Sequence, residues 1–473
     1  MQPEHRATSI PIPTTVPPAV NAWSAEYLDS LMQSWIKDSS SVPQAWQDFF
    51  TGFELGRSLD LDTTDAPRIA KDQVNVDSLM FHYRSAGHYA ADLDPLGIIT
   101  VVRDHLELSA FDLDESQLDD MFNPGHLDMF NPSKLRDIIQ RLENTYCKHI
   151  GIEYLHIENR DQRRWLQSVL EPASNDNPID ANTKRRILRK LVEATTLEHF
   201  CAKRYIGKKR FSLEGSESLI PMMHELIHHA SELGVEVITI GMAHRGRINV
   251  LVNILHKTYD QLFTEFEESW TEDYVSGGGD VKYHLGYSAD IMTDGNQQMH
   301  ITLASNPSHL EFGHSVVLGK ARARQRVQHD ENRSKCIPLI VHGDASFPGQ
   351  GIVAEMFNMA HLDGYTVGGS IHFVINNQIG FTTCPHDTYS GRYCTDIAKM
   401  VGAPIFHVNG DDPEACAHAV HIAVQYRQKF HNDVVIDLWC YRKHGHNESD
   451  EPTYTQPKMY KVIRSMESVT DSY

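Results

Sequence analysis

Apolar positions near the beginning of the chain recur at helical spacing in two short segments. The first segment covers residues 25–38 and the second covers 42–50. A proline-rich stretch, 1–22, precedes them, and a polar, turn-rich stretch, 56–75, follows. We therefore expect residues 1–70 to form a flexible arm with a short helical segment that docks on a partner. The alternative is a helical hairpin that packs on its own domain. The apolar residues are Tyr27, Leu28, Leu31, Met32 and Trp35 in the first segment, and Trp46, Phe49 and Phe50 in the second.

The next part of the chain, 71–200, shows helical periodicity with charged faces and little strand-like alternation. Examples are the stretches SKLRDIIQRLENTYCKHI and NTKRRILRKLVEATTLEHFCAKRY. The pattern predicts a helical domain over these residues.

From residue 201 onward, short β-branched runs alternate with helical patterns. Strand and helix alternating over this length indicate an α/β domain, 201–473, with a mostly parallel sheet and helices on both faces. Ligands of such folds bind at the carboxyl ends of the strands. The predicted strands are Val235–Gly241, His300–Ala304, Ile337–His342, Ile371–Ile375, Ile405–Val408 and Val434–Cys440.

Composition narrows the function classes. The formal net charge is -20, which disfavours a protein that binds the nucleic-acid backbone, since such binding needs a cationic surface. The seven cysteines are never spaced C-x-x-C, so neither a disulfide framework nor a zinc ribbon is expected. There is no apolar run long enough for a membrane helix. We expect a cytoplasmic protein, or a mitochondrial matrix protein if a presequence was removed.

Two neighbouring predicted strands end in oxygen-bearing side chains. One ends in Gly343-Asp344 and the next ends in Asn376-Asn377. A carboxylate and an amide oxygen at adjacent strand ends suit Mg²⁺, which prefers hard oxygen ligands and keeps positions open for phosphate and water. An aspartate that merely caps the following helix is the simpler alternative.

Longer motifs surround these strand ends. The segments GDAS and INNQIGFTT resemble the G-D-G…N-N diphosphate motif of thiamine-diphosphate enzymes. With GMAHRGRINVLVN, GDVKYHLGYS, NPSHLEFGHSVV, YCTDIAKMVGAPIFHVNGDDPEA and CYRKHGHNESDEP, the chain resembles the first, decarboxylating component of the 2-oxoglutarate dehydrogenase complex from residue 25 to about Tyr460. The resemblance implies a thiamine-diphosphate-binding fold, thiamine diphosphate and Mg²⁺ as cofactors, and 2-oxoglutarate as substrate. It also implies a dihydrolipoyl succinyltransferase partner and a homodimer.

The resemblance also implies roles for individual residues. Mg²⁺ would be held by Asp344, Asn377 and the backbone carbonyl of Ile379. The 2-oxo acid would be bound or oriented by His244, His284 and Ser288, although ordinary buried histidines bonded to backbone are the alternative for the first two. The remaining implied cofactor contacts are Arg245, Ser308, Leu310, Ala345, Ser346 and His446.

Other functions stay open. A relative that acts on 2-oxoadipate differs in its substrate by one methylene, and a catalytically silent docking fragment would retain the arm and the fold. His444-Gly-His446 with Glu448 and Asp450 faintly resembles a metallohydrolase motif. Two departures from the family pattern stand out: Ala345 replaces a glycine, and family chains continue into a second α/β domain. We therefore expect chain 1–473 alone to bind the cofactor weakly and to catalyse little.

Overall fold

A computed structural model describes residues 25–44, 46–47, 49–51, 66–172, 179–267, 281–307 and 309–473. The chain forms two compact units, Met1–Val74 and Asn75–Tyr473. No helix among the described residues is long and apolar enough to span a membrane.

The first unit contains the two predicted helical segments. Helix α1 covers Ala25–Lys37, and the described residues 44, 46, 47 and 49–51 that follow are helical. Trp46 is fully buried, with ring contacts to Phe49 and Phe50, so the two segments share an apolar cluster. The predicted proline-rich tail, 1–22, lies outside the described residues. The predicted linker, 56–75, is wrong in its second half, because a helix begins at Ala66 with Pro67 in its first turn, where proline is tolerated.

The second unit is built on an eight-stranded sheet with the order β1-β7-β8-β6-β5-β2-β4-β3. The six predicted strands are all present and pair in parallel, while β1 and β3 are antiparallel edge strands that we did not predict. A separate two-residue pair joins Met121–Phe122 to Ser133–Lys134. The strands are β1 Ile150–Glu153, β2 Val237–Met242, β3 Tyr287–Met292, β4 Gln298–Leu303, β5 Cys336–Gly343, β6 Ile371–Asn376, β7 Ile405–Asn409 and β8 Val434–Trp439.

Helices cover both faces of the sheet, as predicted. On one face, α6 (Leu219–Glu232) and α13 (Pro413–Phe430) join the large core that includes Ile371, Phe373 and Ile375 of β6. On the other face, α11 packs against Val374 of the same strand. The remaining helices are α2 Ala66–Ala86, α3 Leu135–Tyr146, α4 Arg160–Leu170, α5 Ala181–Arg204, α6 Leu219–Glu232, α7 Arg247–Asn253, α8 Tyr259–Glu267, α9 Phe312–Val327, α10 Ser346–Gly349, α11 Gly351–Met359, α12 Pro385–Thr388, α13 Pro413–Phe430, α14 Pro457–Ile463 and α15 Val469–Ser472.

The expected boundary at residue 200 differs from the structure. Residues 71–200 are largely helical, but β1 lies among them and pairs with β7, so that Glu153 stands opposite Ile405. Leu135 and Leu166 belong to the same apolar core as Ile371. The helical segment and the α/β segment therefore lie in one compact unit from Asn75 onward, because the short strand β1 completes the sheet edge.

Candidate functional site

The carboxyl ends of β5 and β6 lie side by side and open into a cavity of about 690 Å³. Gly343 pairs with Ile375, which places Asp344 and Asn377 just beyond two neighbouring strand ends. The cavity lining includes nine of the twelve predicted residues: His244, Arg245, Leu310, Asp344, Ala345, Ser346, Asn377, Ile379 and His446. Motifs that are far apart in the sequence thus meet at one site.

Two side-chain oxygens at this edge lack a strong partner. Burial raises the pKa of the Asp344 carboxyl to about 7, and the negative charge of Asp437 acts in the same direction, while the backbone N–H of Ala345 and the charge of Arg442 act against it. Asp344 forms no ion pair with any cation in the described part of the chain. The Oδ1 atom of Asn377 is buried and has no hydrogen-bond partner there. A buried carboxylate without an ion pair and a buried oxygen without a hydrogen bond are both costly unless a further group binds them.

The loop that carries Asn377 and Ile379 is fixed by the residue between them. Gln378 is buried and has a left-handed backbone with φ of 62°. Its Nε2 donates to Asp94 Oδ1 at 2.6 Å and to the Cys440 carbonyl at 3.2 Å. The Asp94 carboxylate also accepts from the backbone N–H groups of residues 96, 98 and 99. Sequence reasoning missed Asp94, whose signal was an aspartate in front of a Pro-Leu-Gly turn.

Two arginines, the partly buried Arg245 and the buried Arg442, give the cavity positive charge. Arg245 donates to the carbonyls of Ser212 and His446, both at 2.9 Å, so its guanidinium also holds two backbone segments together. Burial, with a contribution from Arg442, lowers the pKa of Arg245 to about 10, and the side chain stays cationic at neutral pH. Arg442 lines the same cavity and donates to the carbonyls of Phe381 and His444. We did not predict Arg442, although it stands in the CYRKHGH motif.

His244 lines the cavity and contacts His284, which does not line it. Their Nε2 atoms are 3.1 Å apart, and His244 Nδ1 lies 3.1 Å from the side-chain amide nitrogen of Asn306. Since that amide nitrogen is a donor, His244 Nδ1 accepts and its Nε2–H points to His284. Burial and the neighbouring His284 lower the pKa of His244 to about 4, so the ring is neutral. His244 is therefore bonded to two side chains, whereas the alternative interpretation expected a buried histidine bonded to backbone groups.

Of the three other predicted residues, His284 is connected to the cavity through His244. Ser308 lies outside the described residues. Ser288 does not line the cavity, because it is exposed on β3 and donates to Thr302 Oγ1 at 2.7 Å. His446 lines the cavity, and burial beside Arg245 and Arg442 lowers its pKa to about 4.

The metallohydrolase interpretation is wrong for these residues. His444 Nε2 is 2.7 Å from Glu214 Oε2, and Glu448 accepts the backbone N–H groups of residues 210–212. Since their polar atoms are already bonded elsewhere, His444 and Glu448 do not join His446 in a metal-ligand set. Glu448 instead fixes Phe211, whose ring lies 5.0 Å from His244.

Comparison with known proteins gives two family matches. The family described as Dehydrogenase E1 component matches residues 189–473, and the family described as 2-oxoglutarate dehydrogenase N-terminus matches residues 18–57. Both matches agree with the resemblance inferred from the motifs.

Individual relatives cover most of this chain. A 2-oxoglutarate dehydrogenase E1 component of Coxiella burnetii is 43% identical over 461 residues, which are 93% of this chain and 49% of the relative. Its counterpart from Haemophilus influenzae is 42% identical over 473 aligned residues, 94% of this chain and 50% of the relative. A multifunctional 2-oxoglutarate metabolism enzyme of Mycolicibacterium vanbaalenii is 47% identical over 417 residues, 86% of this chain and 33% of that protein. The chain spans about half the length, or less, of these curated relatives.

Enzymes of the matched family use thiamine diphosphate together with a divalent metal ion. The residues at the strand ends fit both groups. The buried carboxylate of Asp344 and the unpaired Oδ1 of Asn377 suit a divalent cation, and the charges of Arg245 and Arg442 suit a diphosphate. Since the first family match covers residues 189–473, more than half of the sequence, the chain belongs to the dehydrogenase E1 component family.

Proposed function

We propose that this chain provides the metal- and diphosphate-binding part of an enzyme that oxidatively decarboxylates 2-oxoglutarate and transfers the succinyl group to a lipoyl group. The observation that carries the proposal is the buried Asp344 carboxylate without an ion pair, beside the unpaired Oδ1 of Asn377, in one cavity with Arg245 and His244. The names of the Coxiella and Haemophilus relatives support the reaction and the substrate.

Asp344, Asn377 and the backbone carbonyl of Ile379 would hold Mg²⁺. The ion prefers oxygen ligands and keeps positions for phosphate oxygens and water. It would also offset the burial of the Asp344 carboxylate, since a divalent cation favours the ionised form of its ligand. The hydrogen bond between Gln378 and Asp94 would keep Asn377 and Ile379 in place.

The cofactor diphosphate would lie against Ala345, Ser346, Leu310 and His446, and Arg245 would complete its contacts with the described residues. When bound, thiamine diphosphate supplies an electron sink for the decarboxylation. The two arginines supply positive charge in a chain whose net charge is -20.

His244 and His284 would receive the 2-oxo acid. A neutral His244 presents one N–H, which points to His284 in this structure, and both rings lie close enough to share one ligand oxygen. Histidine rings can donate to a carboxylate or carbonyl and exchange a proton near neutral pH. Phe211 and Tyr283 pack against His244 and limit the access of water to that wall.

The choice of 2-oxoglutarate over 2-oxoadipate rests on the relatives' names, because one methylene changes binding by only about 1–3 kcal/mol. We propose the dihydrolipoyl succinyltransferase component as partner, with the first unit as the docking element, and a cytoplasmic homodimer. The match of residues 18–57 to the 2-oxoglutarate dehydrogenase N-terminus supports the docking role.

Calorimetric titration of Mg²⁺ and thiamine diphosphate into the protein tests the site. Asp344→Ala should weaken Mg²⁺-dependent cofactor binding at least about 100-fold, because it removes a direct metal ligand. Asp363→Ala, at an exposed aspartate outside the cavity, is the matched control and should bind like the wild type. Equal affinity in the Asp344 variant would refute the metal assignment.

Turnover with each 2-oxo acid tests the reaction. We expect a larger kcat/KM for 2-oxoglutarate than for 2-oxoadipate in the full protein with its partner component. The opposite ratio favours the oxoadipate alternative. Cofactor binding without turnover on either acid favours the silent docking alternative.

A further inference from the structure

The buried carboxylate of Glu311 contacts both ends of the loop that carries Asp344. Glu311 is 4% exposed and has a left-handed backbone with φ of 72°, which a non-glycine residue adopts only when its surroundings hold it there. It precedes α9 and faces the end of β5. The motif NPSHLEFGHSVV, which contains Glu311, did not by itself indicate a role for this residue.

Both oxygens of Glu311 are bound by donors from different elements. Its Oε2 accepts from His314 Nδ1 and from His342 Nδ1, each at 2.6 Å, and its Oε1 accepts from the Ser346 hydroxyl. His342 is the last residue before Gly343-Asp344, and Ser346 is the first residue of α10. One side chain therefore holds the loop 343–345 from both ends.

The attachment continues into the next strand. His342 donates its Nδ1–H to Glu311, and its Nε2 lies 2.9 Å from His372 Nδ1 of β6. The two strands that end at the metal loops are thus joined through side chains as well as through their backbone ladder.

We propose that Glu311 is the positioning residue that fixes the loop carrying Asp344, so that the carboxylate of Asp344 is held ready for the metal ion. The inference rests on the proposed function, because it assumes that Mg²⁺ and the diphosphate bind at this loop. Glu311 itself does not line the cavity, so it acts through His342 and Ser346.

The same geometry changes the role of Ser346. Its hydroxyl proton is directed to Glu311, so the oxygen of this side chain has no proton to offer an anion while that bond persists. Ser346 is then an attachment point of the loop.

Calorimetry of Mg²⁺ and thiamine diphosphate binding to the full protein tests the proposal with three variants. Glu311→Ala removes three charge-assisted hydrogen bonds and should raise the dissociation constants by about tenfold or more, while kcat at saturating cofactor stays near the wild-type value. Glu311→Gln should restore most of the affinity, because its amide oxygen can accept from both histidines and its amide nitrogen can donate to Ser346. Ser346→Ala removes one attachment and should raise the dissociation constants by a smaller factor.

The control is Glu225→Ala, at a fully buried glutamate bound by Arg186 on the opposite face of the sheet. It should lower the thermal midpoint without changing cofactor affinity. A folded Glu311→Ala variant with wild-type dissociation constants would overturn the inference, as would a Glu225→Ala variant with an equal loss of affinity. If Glu311→Ala does not fold, unchanged affinity in Ser346→Ala would overturn it. Failure of the wild type to bind Mg²⁺ and cofactor would instead refute the proposed function.

Discussion

A buried ionic network crosses the sheet beside the candidate site, and its pH dependence can be predicted. His407 of β7 lies between two carboxylates: its Nδ1 is 2.8 Å from Asp437 Oδ2, and its Nε2 is 3.1 Å from Glu153 Oε1. Trp439 Nε1 donates to the same Asp437 oxygen at 2.7 Å, and Lys399 pairs with Glu153. The carboxylates outweigh the cost of burial and raise the pKa of His407 from 6.5 to about 9.

The raised pKa of His407 makes the free energy of unfolding depend on pH. Since the folded pKa lies above the unfolded value, the contribution of His407 is fully present below pH 6.5 and is lost as the pH rises through about 9. Each pKa unit corresponds to about 1.36 kcal/mol, so the contribution that disappears across this window is about 3 kcal/mol. The free energy of unfolding of the wild type should therefore exceed that of His407→Gln by an amount that shrinks with pH.

Chemical denaturation of the wild type and of His407→Gln, at intervals between pH 6 and pH 10, measures this difference. His386→Gln is the matched control, because its side chain is 77% exposed, and its profile should parallel that of the wild type. A difference between the wild type and His407→Gln that stays constant over the range would refute the reasoning. It would mean that His407 does not carry a proton that the two carboxylates retain.

Three further predictions concern the loops and the first unit. Asp94→Ala should weaken Mg²⁺ binding about tenfold in calorimetry by releasing Gln378, whereas Asp92→Ala, at an exposed aspartate nearby, should not; equal effects would contradict this. His284→Asn should raise KM for 2-oxoglutarate in steady-state kinetics and leave cofactor affinity unchanged, and a loss of both would indicate a structural role. Trp46→Ala should cost the first unit about 3–5 kcal/mol of packing, seen as lost helical circular dichroism at unchanged Mg²⁺ affinity.

The fold could be predicted where the sequence carries continuous buried runs. Segments such as Ile371–Asn376 are rich in apolar residues and buried on both faces, which is typical of strands in the middle of a parallel sheet. The edge strands escaped prediction because they lack this signal. Ile150–Glu153 has four residues in a helical context, and Tyr287–Met292 places serine and aspartate on its exposed face. The single core shared by residues before and after 200 also has no local signature.

The candidate site could be predicted where its residues stand in motifs at strand ends, as Asp344 and Asn377 do. Contacts between distant segments could not: Asp94 and Gln378 are 284 residues apart, and nothing in either segment predicts that pair. The placement of Ser288 depends on strand alternation. Tyr287 and Ala289 pack against the core, so Ser288 must point to the other face of β3.

Three buried carboxylates lie near the ends of these strands, and they differ in whether another side chain of the folded protein binds them. Asp437 is balanced by His407, and Glu311 is bound by two histidines and a hydroxyl. Asp344 has no such side-chain donor among the described residues, and burial raises its pKa. Burying the ionised Asp344 carboxylate costs free energy, and a divalent ion bound in the cavity would offset this cost. Because the ion would bind the folded chain and not the unfolded one, metal affinity and stability are linked: a concentration 100 times the dissociation constant adds about 2.7 kcal/mol to the free energy of unfolding.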